Sequence, residues 1–527
     1  MDASWWGWDG GLTLLAPTVA IVVALLSRRV VASLAAGVAV GAVVAAQGRL
    51  LPPGADCFAA AAAGEAPPDA GALCGAFGYA GQAVLSTDNL TISVFTLLVA
   101  AMVGVMVDGG AMRTLVAAME ARARGPRATM LASWLSGLVV FFDDYANCVV
   151  VGHAMAPVCD RQGVSRAKLA YIVDSTAAPV ASLALVGTWV GFEVGLLEDA
   201  LVQAGQPAGG GFGLFLSGLA NRYYSLYALA LVGLVAWTGR DLGPMLTAER
   251  RARAAAVATE PDPAPPRGAV VAAAVPVLLL VGVTLGAMVR SGIAALEVPV
   301  AEAPLYAVLA DADAYGSMLW GGVAGLAAAV LLALRAPGLG PQRVVGASLR
   351  GMRTVAAALV VLYTAWTLGN AIGDTGARDF LLGQLGPTLP SWVLPSAVFV
   401  LSSLVAFATG TSFGTMSILV PLAVPLAVGM EGGSALLTAA TASAVLSGSC
   451  LGDHASPISD TTVLSAVGSG CDLVEHVQTQ VPYALLAGAV ALLLGYLPAG
   501  LGVPPWLLLP PGLVALYATL RWVGEEA

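Results

Sequence analysis

Residues 128–157 read ATMLASWLSGLVVFFDDYANCVVVGHAMAP, two apolar arms either side of Asp143 and Asp144. Crossing a hydrocarbon core about 30 Å thick takes about 20 helical residues, so neither arm spans alone. The flanks fix the direction. Arg113, Arg122, Arg124 and Arg127 precede the stretch, and Arg161, Arg166 and Lys168 follow it. Basic residues mark the cytoplasmic side, so the chain leaves that side and returns to it. A re-entrant hairpin satisfies both facts, with the tip FFDDYAN (141–147) at membrane depth. Irregular backbone is tolerated there only where protein or a cavity surrounds it.

The pattern extends outward from this hairpin. The next segment, 169–192, holds Asp174-Ser-Thr-Ala-Ala-Pro179 near its middle. Proline removes a backbone donor and the hydroxyls offer competing acceptors, so a discontinuous helix is expected. It should end outside at Glu193, Glu198 and Asp199. The second half repeats the order upside down. A helix at 354–373 leads to arms 392–409 and 411–428 around Thr409-Gly-Thr-Ser412. The segment 435–470 then crosses inward, broken at Gly452-Asp-His-Ala-Ser-Pro457-Ile-Ser-Asp-Thr-Thr462. The arms of this second hairpin are long enough to be two tilted spans instead. A polar tip followed by a broken helix, twice and in opposite orientations, is the pattern of inverted-repeat secondary transporters.

Composition agrees. Of 527 residues, 58% are apolar and 10% charged, whereas a soluble domain is about a quarter charged. That excludes a disordered chain, a collagen-like chain and a soluble enzyme, and leaves an all-α polytopic membrane protein. About eleven transmembrane helices plus the two hairpins are expected. Residues 1–88 form two helices and an external loop, and the first repeat is 89–239. A cytoplasmic linker follows at 240–267, with five Arg and the stretch PDPAPPR, and is expected to tolerate deletion over 250–265. Two connecting helices occupy 268–353, the second repeat 354–498, and a last helix 499–527. Arg28 and Arg29 after the first apolar stretch put the N-terminus outside, and the count puts the C-terminus in the cytoplasm. No basic region precedes that stretch, so it is not a signal peptide. The net charge of −9 has no basic stripe within it, so no nucleic-acid partner is expected. None of the six Cys forms a CxxC; Cys57 and Cys74 share one loop and are either unpaired or disulfide-bonded.

Four polar clusters meet at membrane depth in this reading: Asp143, Asp144 and Asn147; Asp174, Ser175 and Thr176; Thr409, Thr411 and Ser412; and Asp453, His454, Ser456, Ser459, Asp460, Thr461 and Thr462. Charge at the bilayer centre costs at least about 2.5 kcal/mol, so such residues are functional candidates. Carboxylates, hydroxyls and amides, with one His and no Arg or Lys, suit a hard cation such as sodium. A carboxylate binds a proton as readily as a cation, which provides a route to exchange. Asp174, Asp453 and Asp460 also fit helix caps, and His454 fits either a hydrogen-bonded partner or a pH relay. Asp108 reads as interfacial. His153 and His476 read as cytoplasmic and uninvolved.

FFDDYAN (141–147), IVDSTAAPVASL (172–183), FATGTSFGT (407–415) and GDHASPISDTT (452–462) together resemble the NhaC-type sodium/proton antiporter family. The resemblance implies a cation/proton antiporter of the larger ion-transporter superfamily, working by alternating access, and a homodimer. It implies a bacterial inner membrane location, transported sodium and protons, and no cofactor. A sodium- or proton-coupled carrier of a small organic solute, an amino acid or organic acid, is the alternative. An enzyme is not expected: no HExxH occurs, and half an aspartyl-protease motif at Cys450–Asp453 lacks its partner.

Overall fold

The computed structural model describes residues 11–27, 29–46, 71–111, 125–255, 267–295, 312–335, 340–377, 389–430 and 434–527, with a few isolated positions between them. The described residues are almost wholly helical. Eight helical stretches among them are long and apolar enough to cross a membrane. The sole strand pair among the described residues is antiparallel, two residues each: β1 (Arg240–Asp241) with β2 (Glu525–Glu526) at the C-terminus.

In chain order, α1 (Leu15–Ser27) and α2 (Val30–Ala45) pack together, followed by α3 (Gly71–Leu85) and α4 (Thr87–Asp108). Helix α3 corrects the expectation of a plain loop over 49–88. Its Gly- and Ala-rich sequence lies close against α2 and Ala371, and Tyr79 Oη donates to Asp374 Oδ2 at 2.9 Å. Cys74 in α3 is disulfide-bonded, while Cys57 lies outside the described residues, as do residues 261–266 of PDPAPPR. Helices α5 (Pro126–Val139) and α6 (Asp144–Gln162) form the first helix–turn–helix. Then come α7 (Arg166–Ser175), the one-turn α8 (Ala178–Ala181) and α9 (Thr188–Gln203). The segment expected to end at Glu193 therefore continues to Gln203, and Glu193 is fully buried rather than external.

After α10 (Gly211–Gly218) and α11 (Tyr223–Thr238), the linker carries α12 (Pro244–Ala255). Next are α13 (Arg267–Ala295), α14 (Ala314–Arg335), α15 (Pro341–Thr354) and α16 (Ala356–Asp374). Helix α15 is amphipathic: Val344, Ala347 and Gly351 are buried, while its Arg residues point outward. The second helix–turn–helix is α17 (Leu394–Thr409) with α18 (Ser412–Met430). The second broken helix is α19 (Ala435–Ala455) with α20 (Asp460–Ser469). Helices α21 (Leu473–Val490), α22 (Leu497–Gly500) and α23 (Pro505–Trp522) complete the chain.

Local chemistry explains each interruption. At the first tip, Asp143 has extended backbone and its Oδ1 accepts from Ala146 N at 2.7 Å, capping α6. At the second tip, Gly410 ends α17 with φ +70°, a left-handed conformation that a side chain strains. After α7, Thr176 Oγ1 bonds back to the Ile172 carbonyl at 2.9 Å, and Pro179 brings no donor to the next turn. After α19, Ser456 precedes Pro457 and is forced out of helical geometry, to ψ 130°. One large apolar core runs through both halves. Outward faces stay apolar too, with Leu26, Trp320, Trp506 and Trp522 largely exposed, as lipid-facing surface would be.

Candidate functional site

Both tips dock on the interruptions. Thr188 N donates to the Phe142 carbonyl at 3.1 Å, and Asn147 Nδ2 donates to the Thr176 carbonyl at 2.6 Å. In the second half, Ser456 Oγ donates to the Phe407 carbonyl at 2.8 Å, and Ser412 Oγ donates to Asp453 Oδ2 at 2.9 Å. The two halves interlock. Helix α20 packs against α6 and α7, Tyr145 Oη donates to Asp460 Oδ2, and the Phe413 ring meets Trp189 with centroids 4.9 Å apart. The four polar clusters read from the sequence thus converge on one junction.

Asp174 is the most heavily coordinated acid there. Its Oδ2 accepts from Gln480 Nε2 at 2.6 Å and Thr462 Oγ1 at 3.2 Å, and its Oδ1 accepts from Ser465 Oγ at 3.4 Å. His476 Nε2 lies 3.4 Å from Asp174 Oδ2. His476 is completely buried beside Asp174, which corrects the expectation of an uninvolved residue. His454 lies between Ser175 Oγ (3.1 Å from Nε2) and Tyr224 Oη (2.5 Å from Nδ1). Asp144 Oδ2 accepts from Trp189 Nε1 at 3.0 Å. Asp143, Asp144, Asp174 and Asp453 are all buried, whereas Asp460 is exposed. None of the five is paired with Lys or Arg among the described residues.

Three buried acceptor oxygens at the junction have no donor: Asp453 Oδ1, Asn147 Oδ1 and Gln480 Oε1. Such atoms are rare in a finished interior and fit a place where a cation or water binds. A cavity of about 20 Å³, large enough for one water, touches Asp143, Asp144 and Thr188. No three His, Cys, Asp or Glu side chains converge as a transition-metal site requires, among the described residues. Sodium instead draws on hydroxyls and carbonyls. Some predicted ligands stay local. Thr409 Oγ1 bonds back to the Val405 carbonyl at 2.8 Å, Thr411 Oγ1 accepts from Gly414 N at 3.4 Å, and Ser459 and Thr461 hydroxyls meet each other at 3.1 Å.

Sequence reasoning missed Gln480, Ser465, Trp189, Tyr145 and Tyr224. His476, Gln480 and Tyr483 fall at i, i+4 and i+7 and so share one face of α21, a polar stripe in an apolar helix that could have given them away. It also missed two buried cations. Lys168 pairs with Asp241 beneath Tyr483. Arg222 Nη1 lies 2.8 and 2.7 Å from the Glu193 carboxylate oxygens and also donates to the Ser182 carbonyl. Its Nε and Nη2 have no partner. Arg222 is thus a buried Arg outside the four clusters, which themselves hold none.

Residues 180–501 match the Na+/H+ antiporter family. The chain belongs to that family. This antiporter-family chain is 29% identical over 493 residues to an uncharacterized protein of Haemophilus influenzae, covering 92% of this chain and 89% of the relative. A shorter stretch of 138 residues is 34% identical to the arginine/ornithine antiporter ArcD of Halobacterium salinarum, 26% of this chain and 27% of that protein. Its fold is similar to the crystal structure of the Alcanivorax borkumensis YdaH transporter. The TM-score is 0.56 at 19% identity, over 80% of this chain and 91% of that one. The Na+/H+ antiporter family chain is a multi-pass membrane protein and a secondary transporter.

Proposed function

We propose that the chain exchanges sodium for protons by alternating access at the junction of the two tips and two broken helices. The observation that carries this is the charge pattern: four buried Asp side chains and Asp460 in one place, with no Lys or Arg to neutralise them among the described residues. Asp144, Asp174, Asp453 and Asp460 bind the exchanged cation or proton. Asp143 caps α6 and sets the tip. Asn147, Ser175, Thr176, Ser412 and Ser456 supply neutral oxygen. The two helix–turn–helix units, each followed by a broken helix, are read as inverted repeats over 89–239 and 354–498, with tips that enter the membrane and return. In this reading eleven spans leave the N-terminus outside and the C-terminus in the cytoplasm of a bacterial inner membrane, and the transporter is a homodimer.

The test is reconstitution in liposomes with an imposed pH gradient and an enclosed pH dye. Sodium should collapse the gradient. Asp144→Asn should abolish that collapse while leaving the protein monodisperse in detergent. Normal exchange in this variant would remove the first tip from the mechanism.

A second reading, exchange of a small organic solute, is favoured by one observation: the buried Arg222 guanidinium with two uncommitted donors, which could hold a carboxylate. The same liposomes separate the two. No collapse with any alkali cation, but uptake of an amino acid, would establish the second.

A further inference from the structure

A second cavity, about 210 Å³, lies between α4, α6 and α15. At one end it reaches Asp143 and Tyr145, the buried tip of the first helix–turn–helix. Its walls are apolar, with Val103 and Val150 on opposite helices. At the other end are Asp108 and Arg350, both exposed and joined as an ion pair. The space is large enough for several waters, with Asp143, Tyr145, Thr354, Asp108 and Arg350 as polar partners along it. Apolar walls offer a cation no ligand, so it can cross only with its hydration water, for which the volume leaves room, while a carboxylate stands at each end. Conduction needs sites that attract and still release.

The mouth is held by backbone packing. A Cβ on Gly104 would lie 2.9 Å from the Gly351 Cα, so α4 and α15 touch main chain to main chain. That contact carries Arg350, one residue before Gly351, to Asp108, one turn beyond Gly104. In sequence, Asp108 directly precedes the Arg-rich stretch read as cytoplasmic, and Arg350 lies in a second stretch, 335–353, with four Arg and no acid, which reads as cytoplasmic by the same rule.

Building on the proposed cation exchange, we propose that this cavity is the aqueous route from one membrane face to the tip carboxylates. Arg350 is its screening residue, held across the mouth by Asp108. An arriving cation displaces the guanidinium from Asp108 and moves on to Asp143 and Asp144. An exposed ion pair biases an equilibrium by about fivefold at most, so Arg350 acts as a screen and not a lock.

Two measurements test this in the full-length protein. The first reads exchange kinetics in oriented proteoliposomes. Arg350→Ala should lower the apparent KM for sodium by about threefold at one face only, and Asp108→Asn should raise it by about as much. The swapped pair Asp108→Arg with Arg350→Asp should return it to within about twofold of the parent, and added choline chloride should shrink all these differences. The second reads labelling of Val150→Cys in a Cys471→Ser background. A charged methanethiosulfonate should modify it from the same single face. Labelling needs no transport, so it remains decisive if the exchange reading fails. Modification by a lipid-soluble reagent alone, no modification at all, or equal KM shifts at both faces would each overturn the proposal.

Discussion

The buried Arg222–Glu193 pair is a strong quantitative test of the fold. Both side chains are 1% exposed or less, the guanidinium lies 4.8 Å from the Phe215 ring centre, and Nη1 also serves the Ser182 carbonyl. Arg222→Met leaves Glu193 as an uncompensated charge in the interior, a loss of about 3–5 kcal/mol. It also strips the Ser182 carbonyl of a donor, a further cost of about 1–3 kcal/mol. Glu193→Leu leaves the guanidinium stranded in the same way. In the double variant neither charge remains, and an apolar replacement of a buried pair is close to neutral. The Ser182 penalty is common to Arg222→Met and the double variant, so it cancels in the cycle. The expected coupling between the two positions is therefore the two stranded-charge losses together, about 6–10 kcal/mol. Unfolding of the four proteins in mixed dodecyl sulfate and maltoside micelles, followed by Trp fluorescence, measures it. A coupling below about 1 kcal/mol, the range of a surface pair, would refute the burial on which the reasoning stands. Sodium-driven proton movement should survive in the double variant, because the pair stands apart from the Asp junction. Its loss with the fold intact would instead make the pair part of the exchange machinery.

Three further outcomes are expected. Asp174→Asn should abolish exchange in the dye assay while the protein remains folded, since it removes the charge that Gln480, Thr462 and Ser465 donate to; retained exchange would place the ion elsewhere. Gly410→Val should cost at least about 1–2 kcal/mol through its left-handed backbone alone, plus a clash, because a Cβ there would lie 2.8 Å from the Ile458 carbonyl; thermal unfolding should show Gly410→Asn as the milder change. Arg250→Ala with Arg251→Ala breaks exposed pairs to Glu525 and Glu475 and should change stability by less than about 1 kcal/mol per pair, while deletion of 256–265 should be tolerated and deletion from 250 should not, because α12 runs to Ala255.

The tips and breaks were legible because the chain states them twice over. Pro457 after Ser456, and Asp143-Asp144 between two short arms, interrupt apolar runs in ways that a continuous helix cannot absorb. What the junction needed from elsewhere was less visible. His476 follows Asp472 and Glu475 and looks peripheral, yet α21 begins at Leu473 and its first turn lies beneath α7. Arg222 precedes a helix of only 16 residues and resembles an interfacial anchor, whose long side chain reaches for water. Helix α10 covers it, and the Gly-rich run 205–213 that leads into α10 reads as loop. Glu193 was misplaced for the same reason: an acid that looks like a segment end is in fact the partner of that Arg. Pairing is a property of two positions 29 residues apart, and one-dimensional charge patterns do not contain it.

The placement of the buried charges bears on mechanism. The two buried bases among the described residues, Lys168 and Arg222, are each paired with an acid outside the junction, Asp241 and Glu193. They are therefore unavailable to Asp143, Asp144, Asp174 and Asp453. Each carboxylate held at membrane depth without a counter-charge costs at least about 2.5 kcal/mol. Four together approach the whole folding free energy of an ordinary domain, about 5–15 kcal/mol. The hydrogen bonds from Ser412, Trp189 and Gln480 offset part of that cost. The remainder is offset only if protons or cations stay on the site. An empty, fully ionised junction is thus the least favourable state on the cycle, and release of one bound cation is easiest when another species takes its place. If the proposed site is the exchange site, obligatory exchange follows from its charge placement, and one-way leakage of sodium is the process that the arrangement would suppress.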